Sequence, residues 1–324
     1  MTTIAARFEI PYVQLLDNKG QLCGILPSFA EDKSVLLDLY RTMVRTRAFD
    51  KKAIALQRTG KMGTYAPING QEAISTAIGH ALREDDLFVP YYRDYAAQFQ
   101  RGVKMSEILA YWGGDERGSQ FDNKEDFPIC VPIASQCLHA AGVAFAFNYR
   151  QQPRVAVTCI GDGGTSEGDF YEAINVAGVW NLPVVFIVNN NQWAISVPLA
   201  KQTAAETLAQ KAIAAGFTGV QVDGNDIIAC RAIIGDAIEK ARRGEGPTLI
   251  EAMSFRLSDH TTADDATRYQ PKQEVEQAKP KEPIERMKHY LIQQQLWDDV
   301  MEKQLQEEVG QEVQKAVDDY LSRA

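Results

Sequence analysis

The sequence lacks the features of a nucleic-acid-binding, secreted or membrane protein. Its formal net charge of −9 leaves no excess of positive charge to bind phosphate backbones, so we expect no nucleic-acid partner. The five cysteines form no Cys-x-x-Cys pair, and several lie in apolar segments, which is typical of reduced thiols in the cytoplasm. No apolar run reaches the roughly 18 residues of a membrane span, and no early apolar segment is typical of a signal peptide. We therefore expect a cytoplasmic protein with no membrane partner.

Strand-like and helix-like segments alternate along the second half of the chain. With 324 residues, 45% of them hydrophobic and 24% charged, the chain is long enough for one large α/β domain or two smaller ones. The predicted strands are 154–160, 183–189, 219–224 and 248–255, and the predicted helices are 167–180, 207–217 and a segment ending near Arg243. This alternation predicts a parallel sheet that is covered on both faces.

The flanking regions are predicted to be mainly helical. Helical spacing is found over 30–59 and 71–82, a short strand is predicted at 86–90, and 113–128 is a polar surface loop. A late amphipathic helix places Val309, Val313, Val317 and Tyr320 on one face. We therefore predict an α/β fold with a doubly wound parallel sheet, N-terminal helices and a helical C-terminal tail. The predicted divisions are an N-terminal segment and helix packing on the core (1–60), the α/β domain (61–270) and the tail (271–324).

Polar residues follow two of the predicted strands at the point where each strand ends. Asp162 lies between glycines in Gly-Asp-Gly-Gly (161–164), and Asn-Asn-Asn-Gln-Trp (189–193) follows the next strand. A buried carboxylate is costly unless a cation meets it, and carboxylate, amide and carbonyl oxygens are ligands suited to Mg²⁺. The glycines allow a phosphate to approach the backbone, and the helix that begins near Glu167 points its N terminus at that anion. The pattern favours a metal–phosphate site over a simple glycine turn.

Two other interpretations use the same stretch. Gly164-Thr-Ser166-Glu-Gly168 matches the G-x-S-x-G motif of serine hydrolases, with Asp226 and His260 following in the expected order. However, five residues separate Ile160 from Ser166, no HGGG-like segment precedes it, and this interpretation leaves Asp162 and the asparagines unexplained. Dinucleotide binding is disfavoured because Ser166 stands where G-x-G-x-x-G requires glycine.

The spacing of Asp162 and Asn191 resembles the diphosphate–magnesium signature of thiamin-diphosphate enzymes. The stretch 161–196 is similar to the α subunit of the E1 component of 2-oxo acid dehydrogenase complexes, especially the bacterial pyruvate dehydrogenase branch. The segments 65–73, 245–256 and 259–269 resemble the same family, so the similarity covers most of the chain. The resemblance implies that the α/β domain has the thiamin-diphosphate-binding fold.

The resemblance also implies a role for each matching residue. Magnesium ligands are implied at Asp162, Asn191 and the carbonyl of Trp193, and contacts to the diphosphate at Tyr92, Arg93, Gly163 and Gly164. Val131 and Ile133 match positions beside the aminopyrimidine of the coenzyme. His260 matches a histidine of the active-site loop, which is implied to orient the acyl intermediate and the lipoyl group.

The implied activity is the oxidative decarboxylation of pyruvate, with thiamin diphosphate and Mg²⁺, followed by acylation of the lipoyl group of an E2 acyltransferase. The family's second half-site belongs to a β subunit, so the resemblance implies an α₂β₂ heterotetramer that is active only with β. The alternatives are the E1 α subunit of a branched-chain 2-oxo acid dehydrogenase or of an acetoin dehydrogenase, and, from another class, a serine hydrolase using Ser166.

Overall fold

The architecture is a six-stranded parallel sheet surrounded by helices, in a computed structural model that describes residues 2–121 and 125–322. The strands are β1 (Tyr12–Val13), β2 (Leu87–Val89), β3 (Ala156–Gly161), β4 (Val184–Asn190), β7 (Thr218–Asp223) and β8 (Thr248–Met253), and a separate antiparallel pair is formed by β5 (Trp193–Ala194) and β6 (Val197–Pro198). The order across the sheet is β1-β7-β8-β4-β3-β2, with every pair parallel.

The helices pack around this sheet and extend beyond it at the C-terminal end. They are α1 (Lys33–Arg58), α2 (Glu72–Ala81), α3 (Tyr95–Gln100), α4 (Met105–Trp112), α5 (Ser135–Tyr149), α6 (Gly168–Val179), α7 (Leu199–Gln202), α8 (Lys211–Ala214), α9 (Ile227–Arg242), α10 (Lys272–Ala278), α11 (Pro283–Gln293) and α12 (Asp299–Ser322). None of the described helices is both long and apolar enough to cross a membrane.

Alternate residues of the central strands pack into two separate apolar cores. In β4, Val185 and Ile187 belong to one core, whereas Val184, Phe186 and Val188 belong to the other. Because successive side chains of a strand point to opposite faces, the two cores lie on opposite sides of the sheet. The predicted α/β fold with a doubly wound parallel sheet is thereby confirmed.

One predicted helix is much shorter in the structure than in the sequence-based prediction. Of the segment 207–217, only α8 is helical. The backbone N–H groups of Leu208 and Ala209 instead donate to the buried carboxylate of Glu251, at 2.8 and 3.1 Å. A contact to β8, distant in the sequence, therefore replaces the local helical pattern of this segment.

The N-terminal segment and the tail both contact the central sheet. β1 pairs with β7, and the carboxylate of Asp226, at the start of α9, accepts hydrogen bonds from the N–H groups of Leu15 and Leu16. Arg286 of α11 forms a buried ion pair with Asp223 of β7 at 2.6 Å. The division into 1–60, 61–270 and 271–324 remains a prediction, and these contacts cross both of its boundaries.

Two further predictions concern the flanking regions. The predicted late amphipathic helix is α12. Its apolar face is buried, and it packs on α1 and α4. The predicted loop at 113–128 contains a 3-10 turn, Glu116–Ser119, in which Gly118 is buried. Residues 122–124 of that loop lie outside the described residues.

Replacing Phe186 by alanine tests the core of the central strand. Its ring is fully buried in β4, so we expect Phe186→Ala to lower the free energy of unfolding by about 3–5 kcal/mol. Phe8→Ala is the matched control, because that ring is 66% exposed. Urea-induced unfolding measures both changes, and equal effects of the two substitutions would contradict the assignment of the core.

Candidate active site

The carboxyl ends of β3 and β4 bring the two polar motifs to one edge of the sheet. Gly161 pairs with Asn189, so Asp162 and Asn191 follow neighbouring strands at the same level. A cavity of about 200 Å³ opens there. Of the residues singled out from the sequence, Tyr92, Arg93, Ile133, Asp162, Gly163, Gly164, Asn191, Trp193 and His260 line it. Val131 is not among the lining residues, and its side chain is 46% exposed.

The carboxylate of Asp162 is buried in the wall of this cavity. Its side chain is 1% exposed, and within residues 2–121 and 125–322 its Oδ2 atom has no hydrogen-bond partner. Burial is the main cause that raises the pKa of this carboxyl, to about 6. A buried acceptor without a donor is costly, and a bound cation would remove that cost.

Asn191 is held by hydrogen bonds on both sides of its amide. Its Nδ2 donates to Oε1 of Gln71 at 2.9 Å, and the backbone N–H of Trp193 donates to its Oδ1 at 3.2 Å. The carbonyl oxygen of Trp193 accepts from Nη1 of Arg256 at 3.3 Å. The amide oxygen of Asn191 is thus fixed in one orientation at the cavity wall.

The glycines after Asp162 allow a close approach that a larger residue would block. A Cβ atom on Gly163 would lie 2.5 Å from Cβ of Ala194, and one on Gly164 would lie 2.7 Å from the side chain of Ile160. The 3-10 turn Gly163–Ser166 leads directly into α6, whose first residue is Gly168. The N terminus of a helix of this length favours an anion.

Two arginines are buried beside the cavity without an acidic partner. Arg93 is 1% exposed and Arg256 is fully buried, and in the part of the chain that the structure describes neither forms an ion pair with a carboxylate. Arg93 donates to the carbonyl of Pro67 at 2.6 Å, and Arg256 donates to the carbonyl of Ile195 at 2.8 Å. Buried cations that lack a counter-charge are costly, so this wall favours an anionic ligand.

Both arginines approach the imidazole of His260. Nη2 of Arg93 and Nη1 of Arg256 each lie 3.4 Å from its Nδ1 atom. Since guanidinium groups only donate, Nδ1 is the acceptor, and the ring proton resides on Nε2. Burial and the two arginines lower the pKa of His260 to about 3, so the imidazole is neutral at physiological pH. The backbone of the loop that carries His260 is fixed by a hydrogen bond, in which the N–H of His260 donates to the carboxylate of Asp264 at 2.9 Å.

Tyr92 completes this corner of the cavity. Its ring lies edge-on to the imidazole of His260, with 6.2 Å between the ring centroids, and the guanidinium of Arg93 stands 5.1 Å from the centroid of the same ring. The ring of Tyr92 therefore stands beside both the guanidinium of Arg93 and the imidazole of His260.

The serine-hydrolase interpretation fails because its three residues are engaged elsewhere. Ser166 is exposed and hydrogen-bonds to Gln202. The carboxylate of Asp226 accepts from four backbone N–H groups, those of Leu15, Leu16, Ile228 and Ala229. Over the described residues, no hydrogen bond links Ser166, Asp226 and His260.

Arg256 and Gln71 were not singled out from the sequence. Arg256 ends the segment 245–256 just beyond β8, at the carboxyl edge of the sheet. That position was the one feature of the sequence that could have indicated a role in the site. Gln71 precedes α2 and gave no local signal, because its contact with Asn191 spans 120 positions.

The chain that forms this cavity matches a known protein family over most of its length. Residues 40–322 match the model of the dehydrogenase E1 component, and the chain belongs to this family of thiamin-diphosphate-dependent 2-oxo acid dehydrogenases.

Curated relatives refine the comparison. The chain is 41% identical to the pyruvate dehydrogenase E1 component subunit alpha of Mycoplasma genitalium, over 94% of this chain and 85% of that protein. It is 41% identical to the protein of that name from Bacillus subtilis, over 94% and 82%. It is 45% identical to the 3-methyl-2-oxobutanoate dehydrogenase subunit alpha of Mycobacterium tuberculosis, over 82% and 73%.

The charge state of His260 is directly measurable. An ordinary histidine titrates with a pKa of about 6.5, whereas burial and two arginines lower the pKa of His260 to about 3. We expect its NMR signals, assigned by their loss in His260→Gln, to show a neutral ring throughout the range in which an ordinary histidine titrates.

Arg256→Met serves as the comparison, because removing one neighbouring positive charge should raise the pKa of His260. A His260 signal that titrates like a solvent-exposed imidazole would contradict the described geometry.

Proposed function

We propose that this chain is the α subunit of a pyruvate dehydrogenase E1, which oxidatively decarboxylates pyruvate and acylates the lipoyl group of an E2 acyltransferase. The observation that carries the proposal is the cavity at the ends of β3 and β4. There the buried carboxylate of Asp162, whose Oδ2 atom has no partner among the described residues, and the buried guanidinium of Arg93 line the same small space. The guanidinium of Arg256 lies directly behind them, in contact with the lining residues Trp193, Ile195 and His260. A divalent cation together with a diphosphate would neutralise both kinds of charge at once.

The metal ligands in this proposal are Asp162, the amide oxygen of Asn191 and the carbonyl of Trp193. Within the described ranges, no cluster of three or more His, Cys, Asp and Glu side chains is arranged for a metal. A site with one carboxylate and two neutral oxygens needs no such cluster, and these hard oxygen ligands suit Mg²⁺, which keeps other positions for phosphate and water. The carbonyl of Trp193 has a second lone pair besides the one that meets Arg256.

The diphosphate of thiamin diphosphate is held, in this proposal, by Tyr92, Arg93 and the backbone at Gly163 and Gly164. Arg256 supplies a second fixed positive charge beside them. Arginine is suited to this task because it is permanently charged and its planar fork matches phosphate oxygens.

When bound, the coenzyme supplies the carbon nucleophile and the electron sink for decarboxylation. The protein's own part is to hold it, exclude water and present a neutral imidazole. Because Nδ1 of His260 faces the two arginines, its Nε2–H is free to donate on the other side of the ring. We propose that this N–H orients the acyl group and the incoming lipoyl group.

Val131 and Ile133 are proposed to lie beside the aminopyrimidine. Their side chains are 46% and 47% exposed, so this chain alone does not cover that half of the coenzyme. A β subunit is proposed to complete the site in an α₂β₂ heterotetramer.

Exposed apolar side chains support a large protein interface. Leu138, Phe145 and Tyr149 of α5 and Val179 and Trp180 at the end of α6 are all exposed. Phe145 and Trp180 contact each other, with 5.0 Å between ring centroids, so the two helix surfaces form one patch. Apolar patches of this kind mark interaction surfaces, and an obligate interface buries more than about 2,000 Å².

The substrate is proposed to be pyruvate because relatives of that name align over 94% of this chain, against 82% for the 3-methyl-2-oxobutanoate enzyme. The higher identity of the latter, 45% against 41%, supports a branched-chain 2-oxo acid as the second candidate.

We also propose a cytoplasmic location, in keeping with the five cysteines, none of which forms a disulfide among the described residues.

Removing either side-chain ligand tests the metal site. We expect Asp162→Ala and Asn191→Ala to weaken Mg²⁺-dependent binding of thiamin diphosphate more than about 100-fold, because removing a ligand should cost more than removing its support. Calorimetric titration measures the affinity. Ser166→Ala is the control and should bind like the wild type, since among the described residues its hydroxyl hydrogen-bonds only with Gln202. Wild-type affinity in both ligand variants would refute the assignment.

Reconstitution tests the half-site and the substrate together. We expect the isolated chain to be inactive with thiamin diphosphate and Mg²⁺, because half of the coenzyme site is open, and the complex with a β subunit to turn over. Steady-state rates of that complex with pyruvate, 2-oxoisovalerate and acetoin identify the substrate by the largest kcat/KM. Robust 2-oxo acid decarboxylation by the isolated chain would disprove the half-site model.

A further inference from the structure

Gln71 lies buried behind the cavity, at the start of α2, and has no part in the ligand set proposed above. Its side chain is fully buried, and its backbone N–H donates to the carbonyl of Ile68 at 2.9 Å, which closes a tight turn. Gly70 in this turn has a φ of +89°, and a Cβ atom there would lie 2.7 Å from the carbonyl oxygen of Phe255. The turn is therefore pressed against the segment that follows β8, and Gln71 is held in a fixed position.

The contact between Gln71 and Asn191 has a defined polarity. The backbone N–H of Trp193 can only donate, so the atom of Asn191 that meets it at 3.2 Å is the oxygen Oδ1. The amide nitrogen of Asn191 then faces Gln71, whose Oε1 accepts from it at 2.9 Å. Without that acceptor, the amide of Asn191 would lose the partner that fixes its nitrogen away from the cavity.

We propose that Gln71 is a positioning residue that fixes the amide of Asn191 with its oxygen available to a divalent cation. The inference rests on the proposed function, because it assigns Gln71 a task only if Asn191 binds the metal. Outer partners that orient a ligand typically change metal affinity by about 10- to 100-fold when they are removed. The expected signature is a higher requirement for Mg²⁺, with the chemistry intact once Mg²⁺ saturates the site.

The test uses the reconstituted complex with its β subunit, titrated with Mg²⁺ at a fixed concentration of thiamin diphosphate. Gln71→Met keeps the length of the side chain but removes the acceptor, and Gln71→Glu keeps an acceptor for the amide of Asn191. The matched control is Gln98→Met, because Gln98 is also a buried glutamine, 2% exposed, and its side-chain atoms have no partner among the described residues.

We expect Gln71→Met to raise the Mg²⁺ concentration for half-maximal coenzyme binding about tenfold or more, as measured by calorimetry. We expect kcat at saturating Mg²⁺ to stay within about twofold of the wild type, as when a purely binding interaction is lost. Gln71→Glu should retain the Mg²⁺ affinity that Gln71→Met loses, because its carboxylate keeps the acceptor for Asn191, and Gln98→Met should bind Mg²⁺ like the wild type. If the methionine variant is unstable, Gln71→Asn replaces it, because its amide is one methylene too short to reach Asn191.

Two results would overturn the inference. One is a Gln71→Met variant with wild-type Mg²⁺ dependence, and the other is a Gln71→Glu variant that loses as much affinity as Gln71→Met. Asp162→Ala, measured alongside, separates this inference from the proposed function. If Asp162→Ala loses Mg²⁺-dependent binding and Gln71→Met does not, only the role of Gln71 is wrong; if neither loses it, the metal site itself is wrong.

Discussion

Asp162 and Arg93 carry charge to the wall of one small cavity, and Arg256 lies just behind that wall; in the described part of the chain none of the three forms an ion pair with another side chain. The desolvation of each buried ion costs several kcal/mol. Part of that cost is offset by hydrogen bonds, since Arg93 and Arg256 donate to carbonyl oxygens of the surrounding loops. Bound ions of opposite sign would offset more of it, so ligand binding and the stability of these loops are coupled.

The same electrostatic arrangement explains the state of His260. Burial of the imidazole, together with the two neighbouring guanidinium groups, disfavours its protonated form and lowers the pKa of His260 to about 3. In solution, histidine is a pH switch, but here it is a neutral hydrogen-bonding group with a fixed tautomer. The arginines therefore act on the anion site and on the histidine at the same time.

The sequence was sufficient for the parts of the site that depend on strand order. Asp162 and Asn191 follow strands that were visible as apolar runs, and parallel pairing necessarily brings their carboxyl ends to one edge. The sequence also showed glycines directly after Asp162, but not their close packing, in which a Cβ atom would lie 2.5 Å from Ala194 and 2.7 Å from Ile160. Their contacts with a coenzyme belong to the proposed function.

Contacts between segments that are distant in the sequence could not be predicted from sequence patterns. The contact of Gln71 with Asn191 and that of Arg256 with Trp193 depend on how loops fold over the sheet edge. The segment 207–217 has a helical pattern, yet Glu251 of β8 captures its backbone N–H groups. In the segment 207–217 a side chain from another element therefore determines the local structure, as tertiary contacts can override local propensity.

The two-residue strand β1 has a consequence for the solution behaviour of the protein. β7 would be an edge strand without it, and β1 covers only the positions of Gln221 and Val222. Unpaired backbone groups on an edge strand are a template for pairing with another chain. Tyr12 and Val13 thus shield this part of the edge of β7 from pairing with another chain, and a chain that lost them would expose more unpaired edge for aggregation. They are held in place because the Asp226 carboxylate accepts hydrogen bonds from the N–H groups of Leu15 and Leu16.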